Sequence, residues 1–134
     1  MMGAPSRDCP EGLVPVPTSN PEFCVQPYEA FVEDDGTASS QQGATPDIHV
    51  SFVEAQEACR NTIIDGQPMR LINHQEWKQA GGHRPYPWGD AYAAKKCVLD
   101  SPETHGQWAT VQPSGSMPDC VSEYGVYDQI GNAW

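Results

Sequence analysis

Apolar positions cluster in short bursts separated by Pro, Gly and acidic residues. Leu13-Val14-Pro15-Val16-Pro17 alternates apolar residues with Pro, which predicts a short edge strand because Pro cannot donate to an inner ladder. Thr18-Ser19-Asn20-Pro21 then reads as a turn. Phe23 to Phe31 has a period near two and predicts a second strand. Residues 33–47 are polar and rich in Gly, Ser and Gln, which predicts a flexible loop.

Two helices are signalled by their starts. Ser51-Phe52-Val53-Glu54 has the spacing of a capping box, and Phe52, Ala55, Cys59 and Ile63 follow as one apolar face. Asn73-His74-Gln75-Glu76 repeats the device, with Trp77 and Ala80 as the core-facing stripe and Gly81-Gly82 as the stop. Met69 to Ile72 is a short extended lead-in between them. Beyond His83 little is periodic. Arg84-Pro85-Tyr86-Pro87-Trp88-Gly89-Asp90 reads as a rigid aromatic turn, either a plug over the core or a sugar-binding patch. No internal repeat or domain boundary interrupts residues 1–134, so a single α+β domain with long irregular loops is expected.

Composition narrows the function. The chain carries 13 Pro and 12 Gly in 134 residues, which disfavours long regular elements. Its 18 acidic and 7 basic residues give a net charge of -11. Such a chain repels a phosphate backbone and an anionic membrane surface, so nucleic-acid binding is excluded as a reading. Excess carboxylate suits a solvated surface, and it suits Ca²⁺. No segment has the length and apolarity of a membrane span.

The five cysteines are Cys9, Cys24, Cys59, Cys97 and Cys120. None forms a C-x-x-C pair and the histidines are scattered, which argues against zinc. Disulfides in an extracytoplasmic or secreted setting are the expectation. Cys9 and Cys24 flank the first hairpin, and a bridge there would stabilise by roughly 3 kcal/mol. Cys97 and Cys120 are the second expected pair.

The final stretch, Tyr124-Gly125-Val126-Tyr127-Asp128-Gln129-Ile130-Gly131-Asn132-Ala133-Trp134, has the composition of a tight, ligand-holding loop. An uncovered Trp at its end is costly, so the chain reads as cut within a functional element. An incomplete domain of this kind is expected to pair with a complementary segment or second chain, or to self-associate.

Five segments, in order, resemble one family. Phe23 to Ala30 resembles the strand "F-x-I-x-x-Y-E-V-T" of formylglycine-generating enzymes (sulfatase-modifying factors). Val50 to Ala55 resembles "V-S-W-x-D-A", and Arg70 to Trp77 resembles "R-L-P-T-E-A-E-W". Tyr86 to Asp90 is similar to "Y-P-W-G-D/N", and Gly125 to Trp134 to "G-L/V-Y-D-M-x-G-N-V/A-W-E-W". The resemblance implies a variant of the C-type-lectin-like fold. It also implies O₂-dependent oxidation of a substrate-protein cysteine to formylglycine, using a copper-binding cysteine pair in a later part of the domain.

None of the five cysteines matches a catalytic position, so no catalytic residue is assigned and the chain alone is expected to be inactive. Ile72-Asn73 stands where disulfide-rich members carry a cysteine, which implies that Cys59 is left as a buried thiol. The resemblance further implies calcium held by the Asp128 side chain and the backbone carbonyls of Gly131 and Ala133; the competing reading is that Asp128 caps a turn without metal. It places Trp134 by the substrate groove, with core packing as the alternative role. The same scaffold also serves non-catalytic modules that bind protein, peptide or sugar ligands, which is the alternative function.

Overall fold

The computed structural model describes residues 2–5, 9–17, 19, 21–91, 93, 96, 97, 111–129 and 132, with 2–5 as backbone only. The elements in chain order are β1 (Met2–Pro5), β2 (Val14–Val16), β3 (Phe23–Val25), β4 (Ala30–Val32) and β5 (Ala38–Ser40), then α1 (Phe52–Asn61), β6 (Ile63–Ile64), β7 (Gln67–Pro68), β8 (Arg70–Leu71) and α2 (His74–Ala80). The architecture is α+β: two helices among short antiparallel strands.

Four strands form one sheet in the order β2-β3-β1-β8. β2 lies at its edge, as Pro15 requires. β3 is central, and all three of its residues are buried. Successive side chains on a strand point to opposite faces, so β3 serves two cores. Cys24 packs with Leu13, Met69 and the α1 residues Ala58 and Cys59. Phe23 and Val25 pack on the other side with Val16, Val126 and Ala80 of α2. β1 supplies the inner neighbour of β3, with Gly3 opposite Val25, and joins β8 on its other edge.

The second expected strand is in fact two. β3 ends at Val25 and β4 begins at Ala30, because Pro27 interrupts the ladder between them. Residues 33–47 are not one irregular loop: β5 lies within them and pairs with β4, with Phe31 opposite Ser39. Asp35 closes that hairpin by accepting the Thr37 N–H at 3.0 Å and its hydroxyl at 2.6 Å.

Both helix starts form at the expected residues. The Ser51 hydroxyl accepts the Glu54 N–H at 3.1 Å, although the reciprocal half of the box is not made. At α2 the box is complete: Asn73 Oδ1 accepts the Glu76 N–H at 2.8 Å, and Glu76 Oε1 accepts the Asn73 N–H at 3.0 Å. The faces differ from expectation. Phe52 is 69% exposed and Ile63 58%, while Ala58 and Cys59 carry the burial. Trp77, expected in the core, is 39% exposed; Ala80 and the aliphatic stem of the paired Glu76 are buried in its place.

Candidate functional site

The site is built where the segment 111–129 folds back across β3 and β4. Gly125, at φ 84°, closes a tight turn in which Ser122 N–H donates to the Val126 carbonyl at 2.9 Å. This buries Val126 completely and aims the following residues inward. The Tyr127 N–H donates to the Pro27 carbonyl at 2.7 Å, and the Asp128 N–H to the Cys120 carbonyl at 3.1 Å. Tyr127 stacks on Tyr28 with ring centroids 5.0 Å apart. Burial, and then the charge of Tyr127, push the Tyr28 hydroxyl above its ordinary pKa.

Asp128 follows with φ 56°, a left-handed conformation that a carboxylate residue tolerates in tight loops. Its side chain is buried, and Oδ2 accepts the Gly115 N–H at 2.8 Å. Burial pushes its carboxyl up from the ordinary range, opposed by the Gly115 bond and by a hydrogen bond with the Glu29 carboxyl. Glu29 is held in turn by Asn132, whose Nδ2 donates to Oε1 at 2.9 Å across 103 positions of sequence. Asn132 also mimics a strand partner for Gln112: it accepts the Gln112 N–H at 2.8 Å and donates to its carbonyl at 3.0 Å. The result is a cluster of two carboxyls and one amide, with Asp128 and Asn132 buried and Glu29 half-buried.

Gln129 turns the other way and donates from Nε2 to the Trp77 carbonyl at 2.6 Å, tying the loop to α2. Its Oε1 is buried and accepts no hydrogen bond. Glu29, Asp128 and Gln129 form the polar end of a cavity of about 300 Å³ whose walls come from β4, β5, α1 and β8.

The covalent frame matches expectation. Cys9 is bridged to Cys24 and Cys97 to Cys120. Cys59 is a buried thiol whose pKa burial raises. Of the residues assigned to the loop, Asp128 lies in the cluster, while Gly131, Ala133 and Trp134 fall outside the described residues. In the aromatic turn Tyr86 and Trp88 stack at 5.2 Å, and Tyr86 and Gly89 exchange both backbone hydrogen bonds. Pro87 between them is buried, while both rings are partly exposed.

Glu29, Gly115 and Gln129 were not singled out by sequence reasoning. Asn132 carried a signal, since Asn next to Gly favours the left-handed conformation it adopts at φ 58°. Glu29 stands at the E of the "F-x-I-x-x-Y-E-V-T" resemblance, but nothing local pointed to its partners, which are remote in the chain. Among the described residues no group of three or more His, Cys, Asp or Glu side chains converges on one point. No helix among them is long and apolar enough to cross a membrane.

No curated protein and no solved structure matches the chain. The family described as "Sulfatase-modifying factor enzyme 1-like domain" matches residues 23–134. That span takes in β3, both helices, the aromatic turn and the whole carboxyl cluster, so the chain belongs to the formylglycine-generating enzyme (sulfatase-modifying factor) family.

Proposed function

We propose that residues 1–134 supply the scaffold of a formylglycine-generating-type domain with the C-type-lectin-like variant fold. On this reading they serve the O₂-dependent oxidation of a substrate-protein cysteine to formylglycine, and the copper-binding cysteine pair comes from outside these residues. The observation that carries the proposal is the state of the five cysteines. Four are locked in two disulfides, and the fifth is a buried thiol held protonated by desolvation. None can pair with another as an accessible dithiolate. Two disulfides and this family suit an extracytoplasmic or ER-lumenal setting.

Calcium fits the described part of its expected site. Asp128 and Glu29 are hard oxygen donors held side by side, and burial disfavours the charge of Asp128 when no cation is near. Asp128 would hold the ion together with the carbonyls of Gly131 and Ala133. The ion would supply the positive charge that lets Asp128 ionise. What the protein itself contributes is orientation: the Gly115 N–H and the Asn132 amide fix the two carboxyls against each other. Trp134 would stand beside the substrate groove.

A binding module for protein, peptide or sugar is the second reading, favoured by the cavity beside the cluster. The test is incubation of the isolated chain with copper(I) and a C-x-P-x-R peptide under O₂. The expected result is neither stoichiometric copper(I) binding nor aldehyde formation. Turnover by this chain alone would overturn the assignment of the cysteine pair elsewhere.

A further inference from the structure

The cavity beside Gln129 does not end at α1. A second, shallower cavity of about 390 Å³ shares Val32, Asp47, Val50 and Ala58 with it. Together they form a groove that starts at Glu29, Asp128 and Gln129 and leaves along α1 past Glu54 and Glu57. Its floor is apolar, from Phe31, Ala38, Ala55, Leu71 and Ile72. Trp77 stands 39% exposed at its inner end, and Val32 is 36% exposed on its wall. Five carboxyl groups lie along it (Glu29, Asp47, Glu54, Glu57 and Asp128), and among the described residues its lining contains no Lys or Arg.

Apolar walls and acidic rims specify one kind of occupant. We propose that this groove docks an extended polypeptide segment in which apolar side chains alternate with Lys or Arg. The apolar residues fill the floor, and the cations face the exposed carboxylates of Asp47, Glu54 and Glu57. Alternation is required because an extended chain sends successive side chains to opposite sides. A second copy of this chain is a poor occupant, since each carries a net charge of -11 and copies repel.

The proposal rests on the groove and not on the cysteine or calcium reading, so either can fail alone. The probe is a short fluorescent peptide alternating Val with Lys, compared with Val–Glu and Ser–Lys counterparts and read by fluorescence anisotropy. The Val–Lys peptide is expected to bind at least about tenfold tighter than either counterpart, a preference that weakens with added salt. Glu54→Gln combined with Glu57→Lys is expected to weaken it about tenfold while leaving the melting temperature near the parent's, since both residues are exposed on α1. Equal binding of the Ser–Lys peptide would mean charge attraction without a groove and would overturn the proposal. So would binding of the Val–Glu peptide, no binding of any peptide, or sedimentation showing a dimer that excludes the Val–Lys peptide. Should the double variant unfold, the peptide comparison and salt series on the parent chain decide alone.

Discussion

Asp128 Oδ2 accepts the Gly115 N–H at 2.8 Å, and that bond joins the carboxyl cluster to the turn at 113–116. The Tyr28 ring packs against the same turn because position 115 has no side chain. A Cβ there would sit 2.7 Å from the Tyr28 ring, itself stacked on Tyr127. Asp128, Gly115, Tyr28 and Tyr127 therefore form one packed unit.

Gly115→Ala should be costly for two separate reasons. The residue has φ 71°, which a Cβ penalises by roughly 1–2 kcal/mol, and the new methyl must displace the Tyr28 ring. Gly125, at φ 84°, has open space around it and bears only the backbone penalty. Denaturant melts should rank Gly115→Ala below Gly125→Ala by about 1 kcal/mol or more. Equal losses would show that the ring contact matters little.

Asp128 gives a signed pH dependence. Its folded pKa is raised, chiefly by burial, so the fold prefers the protonated carboxyl. That contribution is full below the unfolded value near 3.8 and is lost as pH rises through the folded value. Asp128→Asn keeps an acceptor for Gly115 and carries no charge. The variant should therefore match or exceed the parent in melting temperature at neutral pH without calcium, and lose that advantage in acid. Added calcium should raise the parent's melting temperature and leave the variant's unchanged. An equal calcium response would remove Asp128 from the metal set.

The contrast between legible and hidden features follows from sequence distance. Ser51 and Asn73 announced their helices because capping acts over three residues, and Pro15 marked an edge strand because its missing N–H is a local fact. The disulfide between Cys9 and Cys24 was legible from the hairpin they flank. By contrast, β1 was invisible: Met2–Pro5 has no strand pattern and is a strand only because β3 and β8 flank it. Trp77 was misjudged because helical spacing shows which residues share a face, while the groove beside α2 decides whether that face is covered. The Glu29–Asn132 bond spans 103 positions and had no local trace.

Arg70 and Glu76 tie β8 to α2 by two parallel bonds of 2.7 Å, and Glu76 also completes the helix cap. The Arg70 bond, more than the cap and against desolvation, holds the Glu76 carboxyl below its usual range. A lowered acid contributes stability above its unfolded value near 4.5 and loses it as pH falls through the folded value. Arg70 is half exposed, so solvent screens part of the pairing. Glu76→Gln should cost about 1 kcal/mol at neutral pH and much less in strong acid, as measured by urea melts across pH. A cost that does not change with pH would assign the effect to the cap alone.

The cysteines make the last prediction, and it separates the protein's two kinds of sulfur. Cys59 packs among Ala58, Met69 and Cys24 and is held as a neutral thiol, so iodoacetamide should leave the native chain unlabelled and modify one site after unfolding. Cys9→Ser with Cys24→Ser opens a loop of separation 15 and should cost roughly 3 kcal/mol. The two effects are linked through Cys24, which lies in the same cluster as Cys59. Removing the bridge should therefore loosen that core and make Cys59 reactive at temperatures where the parent thiol stays protected. Unchanged protection in the double variant would show that packing, and not the disulfide, seals the thiol.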